Sequence, residues 1–459
     1  MSAEAITIQP ITHPLSASVR VPGSKSLTNR ALALAALSDG TTTLTNVLIA
    51  DDTLHFASSL RQLGFDVQPE DLVNQSQPEV EGDLNRTITV RGQGGRIPAS
   101  RADLYIGNAG TAARFLTALL SLGYGSYTLD GNQRMRHRPM QDLLDALRQL
   151  GAVITQPHQS LELEDRERTS IPEAELSQLP ISVQASGLAG GQARVAGSAS
   201  SQFLSALLMV APYARQPVEL HLEDDLTSKP FVDMTLGMMS DFGVQVERQG
   251  YTRFLILPQK YHTPGNYAVE SDATAASYFF IAPALCGGTL RVEGIARRSR
   301  QGDIAFLDLL EQMGCTVSQG SDWVMVSCSP EDSPLRGLTV DMVDIPDTAQ
   351  TLAVLAPFAS TPTTIRGIAS ARRKESDRVA AMCTELSRLG VSVEEHPDGL
   401  TIHPCSKLHP AVIHTYQDHR MAMAFSMIGM KTPGISILDP GCVSKTFPGF
   451  YEVLAQLRR

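Results

Sequence analysis

Hydrophobic positions fall in a recurring order along this 459-residue chain. A short polar or charged opening leads into a helix-like run that is apolar on nearly every side. A glycine-punctuated β-rich stretch follows, then an amphipathic helix closed by an apolar residue, a glycine and another strand. The openings are VPGSKSLTNRALALAAL from Val21, GNAGTAARFLTALL from Gly107, GSASSQFLSALLMVA from Gly197, SDATAASYFFIAPAL from Ser271, DIPDTAQTLAVLAPFA from Asp344 and YQDHRMAMAFSMIGM from Tyr416. The closing glycines, Gly64, Gly151, Gly243, Gly314 and Gly390, are expected as left-handed helix caps, and a sixth copy ends at FYEVLAQLRR.

Each copy is a β/α module of roughly seventy to ninety residues, too small to hide its own apolar helix and obliged to stack on its neighbours. ALALAAL, TAARFLTALL and AMAFSMIGM are apolar all round and belong in an interior, whereas RPMQDLLDALRQL and DIAFLDLLEQM keep a polar face for the outside. Six modules suggest two groups of three. Punctuation at 21–24 and 270–272 assigns residues 1–22 with 270–459 to one lobe and 23–269 to the other, with the polar helix starts meeting in a cleft. Segments 71–101 and 155–190 read as longer hairpins or surface loops.

Composition narrows the function. With 42% apolar and 19% charged residues the chain can bury a large interior, and its net charge of −10 argues against a nucleic-acid surface. Any anion site must therefore be a local basic pocket. No apolar run reaches the roughly 18 residues of a membrane helix, and no leader pattern opens the chain. Six cysteines, none in CxxC spacing, fit reduced thiols and a cytoplasmic setting.

Helix starts offer unpaired N–H groups and partial positive charge, so the cations placed there mark anion sites. In GSKSLTNR, Ser26 and Arg30 lie four apart on one helix face beside Lys25, making a three-donor cradle for phosphate. GNAGTAAR combines two glycines with Thr111 as a cap and Arg114 one turn in. RMRHR spaces Arg134, Arg136 and Arg138 so that an extended segment would present all three on one face, and Arg134 is the favoured ligand-binder. RRKESDR sets Glu375 between Lys374 and Arg378, which would hold the carboxylate ionised until a substrate changes its surroundings. DHRMAM and VSKTFPGF add Arg420 and Lys445, with His419 read as a satisfied structural group. No His or Cys spacing suggests a metal site.

Taken together, these strings, with LTSKPFVDMTL, QGDIAFLDLLEQMG and IPDTAQT, resemble the enolpyruvyl transferases along nearly the whole chain. The resemblance implies an inside-out α/β fold of two lobes, each built from three βαβαββ modules, and an active site in the cleft between them. It implies transfer of a carboxyvinyl group from phosphoenolpyruvate to the 5-hydroxyl of shikimate 3-phosphate by a monomer without cofactor or metal. Carried over, the shikimate 3-phosphate site would be Lys25, Ser26, Arg30, Ser200, Ser201, Gln202, Ser228, Asp347 and Lys374. The phosphoenolpyruvate site would be Lys25, Gly110, Arg134, Gln202, Arg378, Arg420 and Lys445.

By the same resemblance Asp347, assisted by Lys25, deprotonates the attacking hydroxyl, and Glu375 protonates the methylene carbon and later takes a proton back. The chain departs from the family's usual bacterial pattern at Phe231 (commonly Tyr), Ser370 (often Asn) and, on either side of the shared Arg114, at Ala113 and Phe115 (commonly Met and Pro). Those departures border the ligand site, so sensitivity to glyphosate, the family's inhibitor, stays open. The sister transferase acting on UDP-N-acetylglucosamine relies on a loop cysteine, and no cysteine precedes Cys286. A non-catalytic phosphate-binding scaffold would explain basic helix starts but not the Asp347 and Glu375 pair.

Overall fold

A computed structural model describes residues 4–69, 86–156, 178–198, 200–329 and 333–458. The six apolar runs form the helices Lys25–Leu37, Gly110–Leu120, Ser201–Val210, Ala273–Phe280, Ala349–Leu355 and His419–Gly429, and nearly every residue in them is buried. Amphipathic helices such as Gln141–Gln149 and Phe306–Met313 bury only one face. Gly64, Gly151, Gly243, Gly314 and Gly390 all adopt positive φ, between +85° and +112°, and so stop the second helices as expected.

Five sheets share one four-stranded topology. In one, Arg101–Tyr105 runs parallel to Tyr124–Asp130, which pairs antiparallel with Ile181–Ser186 and through it with Val153–Thr155. Inward positions alternate with solvated ones, as in Trp323–Cys328, so each sheet lays one face on the buried helices. The sixth sheet has three strands, Ala411–Ile413, Ile435–Leu438 and, from the far end of the chain, Ala5–Thr7.

Two modules exchange their first strands. Leu15–Arg20 pairs with Gly288–Glu293, while Asn266–Ala268 pairs with Thr41–Val47, so each strand feeds a helix in the opposite group of modules. The crossings brace each other: Ser24 N donates to Glu270 O at 2.8 Å and Asp272 N to Pro22 O at 2.8 Å. Gly23 permits this approach, since a Cβ there would lie 1.8 Å from Asn46 O. Apolar side chains accordingly gather into two buried clusters, one from Leu27 to Val269 and the other from Ile8 to Val21 together with Ala273 to Leu457.

The polar segments read as long hairpins hold the strands Arg86–Arg91 and Ile181–Ser186; stretches 70–85 and 157–177 lie outside the described residues. Two local expectations are corrected. Gln133–Arg136 is a short helix capped by the Asn132 side chain rather than an extended segment, so Arg134, Arg136 and Arg138 diverge. The helix after GNA begins at Gly110 with Ala109 as its cap, which leaves the Thr111 hydroxyl free of capping.

Candidate active site

Starts of the buried helices converge between the two groups of modules. Ser24, Ser200, Asp272 and Asp418 each cap a helix by accepting from a backbone N–H two or three residues on, which fixes the neighbouring cation or hydroxyl in place. A cleft is lined by Lys25, Ser26, Thr111, Ser200, Ser201, Gln202, Ser228, Phe231, Asp347, Ser370 and Lys374 among others.

Arg378 organises the chemistry beside the cleft. It is 1% exposed, and its planar fork donates to Asp418 Oδ2 at 2.8 Å, Asp347 Oδ1 at 2.9 Å and Glu375 Oε2 at 2.7 Å. Arg420 holds the second oxygen of Asp347 at 2.9 Å. Lys445 Nζ lies 2.9 Å from Glu375 Oε1 and donates to Asn108 O at 3.0 Å, with Arg138 a further 3.6 Å contact of Glu375. Burial alone would raise the pKa of both carboxylates. The charges of Arg420, Lys374, Arg378 and Lys25 overcome this at Asp347, as those of Lys445, Arg378 and Arg138 do at Glu375, and both stay well below the ordinary range.

Other expected residues take distinct positions. Arg134 sits at the rim and donates to Lys374 O at 2.6 Å. Arg136 turns away to Asp130. At Gly110 a Cβ would meet Arg138 Nη2 at 2.4 Å and Arg114 Nη1 at 2.6 Å, so glycine lets both guanidiniums approach.

Arg30 does not line the cleft. It donates to Thr235 Oγ1 at 2.7 Å, Ser205 Oγ at 3.1 Å and the carbonyls of Ser26 and Phe231, and lies between the rings of Phe115 and Phe231. Burial pushes its pKa down to about 9. His419 is not the satisfied group expected from sequence: it is fully buried, neither ring nitrogen has a hydrogen bond among the described residues, and burial with Arg420 nearby keeps it neutral.

Sequence reasoning missed Asp52, Asn108 and Asp272, and of the three arginines in RMRHR it preferred Arg134 to Arg138, which is the one that contacts Glu375. Asp52, buried at the start of helix Asp51–Gln62, is within 3.5 Å of Lys25 Nζ and 3.9 Å of Lys445 Nζ. Asp272 Oδ2 accepts from Lys25 N at 3.1 Å. A second acidic pair at a helix start, ADDT, was the available signal for Asp52, but nothing local named its cationic partners. Among the described residues no group of His, Cys, Asp and Glu is placed to hold a metal ion, and no helix is long and apolar enough to cross a membrane.

Paired lobes of βαβαββ modules, with buried helices whose starts surround a cationic cleft holding two clamped carboxylates, define the architecture of an enolpyruvyl transferase. Comparison with known proteins narrows the class. The chain belongs to the EPSP synthase (3-phosphoshikimate 1-carboxyvinyltransferase) family, whose sequence model matches residues 10–454. It is 44% identical over 448 residues to a 3-phosphoshikimate 1-carboxyvinyltransferase of a Nostoc species, covering 98% of both chains. A Shewanella denitrificans protein of the same name is 46% identical over 441 residues, covering 96% of each. The solved EPSP synthase of Acinetobacter baumannii superposes with a TM-score of 0.76 at 26% identity, over 99% of this chain and 98% of that one.

Proposed function

We propose that this chain is a 3-phosphoshikimate 1-carboxyvinyltransferase, joining phosphoenolpyruvate to the 5-hydroxyl of shikimate 3-phosphate with release of phosphate. The observation that carries the reading is Arg378, one buried guanidinium that ties Asp347 to Glu375 at the edge of the cationic cleft. Lys25, Ser26, Ser200, Ser201, Gln202, Ser228 and Lys374 would receive shikimate 3-phosphate, since together they line the cleft. Arg30 belongs to this set by the family resemblance alone, since its guanidinium donates inward to Thr235, Ser205 and the carbonyls of Ser26 and Phe231. Arg134, Arg378, Arg420 and Lys445 would hold the phosphate and carboxylate of phosphoenolpyruvate, with Gly110 leaving room.

Two carboxylates held this firmly are poor proton carriers until their cations are drawn off. When an anionic substrate competes for Arg420, Lys374 and Lys25, Asp347 becomes basic enough to accept the hydroxyl proton as oxygen attacks the C2 carbon. When it competes for Lys445, Arg378 and Arg138, Glu375 rises toward the range in which it can give a proton to the methylene carbon. It then recovers one as the C–O bond to phosphate breaks. Substrate binding and acid–base readiness are thereby the same event.

In this reading the lobes are residues 1–22 with 270–459 and residues 23–269, turning about the paired crossings, and the enzyme works as a cytoplasmic monomer. Phosphate release from phosphoenolpyruvate tests it. Release is expected with shikimate 3-phosphate and not with UDP-N-acetylglucosamine; release with the latter, or with neither, would refute the assignment.

A further inference from the structure

A small chamber adjoining the cleft has walls that include Lys25, Asp272, Thr274, Tyr278, Asp303 and Arg420. Asp303 stands on the 3-10 turn Gly302–Ala305 and is 3% exposed. Its Oδ2 accepts from the Thr274 hydroxyl, while its buried Oδ1 has no hydrogen-bond partner among the described residues. A buried carboxyl oxygen left unpaired is costly if ionised and tolerable if protonated. We propose that Asp303 is a positioning residue for Arg420, a carboxyl behind the guanidinium that leaves it turned to the cleft when neutral and draws it back when charged. This rests on the assignment of Arg420 to phosphoenolpyruvate.

The surroundings set the balance. Burial raises the Asp303 pKa and the Asp347 charge adds to this, whereas the Thr274 hydrogen bond and Arg420 oppose it, Asp272 raises it again, and the result is about 7. Lys25 and Tyr278 face it across the chamber. Among the described residues Asp347 is the carboxylate hydrogen-bonded to Arg420, and a charged Asp303 would compete for the same guanidinium.

The test is the KM for each substrate against pH in phosphate-release kinetics, for the parent enzyme, Asp303→Asn and Thr274→Val. In the parent the phosphoenolpyruvate KM should rise roughly fivefold through neutrality, the lower end of coupling between linked sites, with little change for shikimate 3-phosphate. Asp303→Asn should remove that rise; comparing the two enzymes cancels the titration of the substrate itself. Thr274→Val, which strips a bond that favours the charged form, should move the inflection to higher pH, and serves alone if Asp303→Asn does not fold. An inflection that persists in Asp303→Asn, stays put in Thr274→Val or affects both substrates equally would overturn the proposal. Arg420→Lys separates the two claims: an unchanged phosphoenolpyruvate KM there would defeat the assignment of Arg420 itself.

Discussion

Replacing Glu375 by Gln removes one proton-carrying oxygen while leaving the side chain's size and one acceptor in place. The structure sets the size of the effect. Either Lys445 would lose its contact at 2.9 Å or Arg378 its contact at 2.7 Å, the amide oxygen keeping the other, while Lys445 retains Asn108 O and Asp52, and Arg378 retains Asp347 and Asp418. Breaking a buried charge network by removing one partner costs up to ~3–5 kcal/mol, and those remaining partners place the loss below that limit. Folding should therefore survive.

Turnover should not survive. A positioned acid–base group contributes about 10² to 10⁴ in rate, or roughly 3 to 5 kcal/mol of barrier at about 1.4 kcal/mol per decade. Phosphoenolpyruvate binding should hold or tighten, because Lys445 and Arg138 no longer have a competing anion. Steady-state phosphate release measures the first expectation, and calorimetric titration of phosphoenolpyruvate in the presence of shikimate 3-phosphate measures the second. A turnover number within about threefold of the parent would take Glu375 out of the chemistry. Weakened binding at unchanged turnover would make it a ligand instead.

Arg378→Lys cannot bridge three carboxylates with one ammonium, so the melting temperature should fall and the phosphoenolpyruvate KM rise by tenfold or more, on the order of 1.4 kcal/mol; an unshifted melting curve would show the fork to be dispensable. Gly110→Ala should fold, since the atoms it meets are far ends of arginine side chains, but by displacing Arg138 from Glu375 it should raise the KM for phosphoenolpyruvate more than that for shikimate 3-phosphate. Gly314→Ala tests the helix caps: space is open there and φ is +112°, so the cost should be the backbone strain alone, about 1 kcal/mol in urea unfolding with activity intact. Acid should act through the depressed pair. Asp347 and Glu375 contribute stability that is present above the ordinary carboxylate pKa of about 4 and lost as pH falls toward their lower folded values. Melting temperature should thus fall less steeply below about pH 4 in Asp347→Asn than in the parent.

How much of this was readable in advance follows the range of each interaction. ALALAAL and AMAFSMIGM were buried because a helix without a polar face has no other stable place, and Gly64 to Gly390 took positive φ because glycine bears that conformation at least cost. The clamp on Glu375 by Arg378 spans three residues just before a helix start, so the string KESDR already contained it. Arg134, Arg136 and Arg138 were misjudged because alternation marks one face only in extended chain, and the Asn132 cap bent that segment into a helix.

The sequence by itself determined the modules, their order, their inner and outer helices and the gathering of cations at helix starts, for these depend on neighbours a few residues apart. Tertiary structure alone decided which module lends its first strand to which sheet, and which charges meet. Lys445 reaches Asn108 across 337 positions and Arg134 reaches Lys374 across 240. Electrostatic pairing at such separations is chosen by the packing of whole modules, and leaves no periodic trace in the chain.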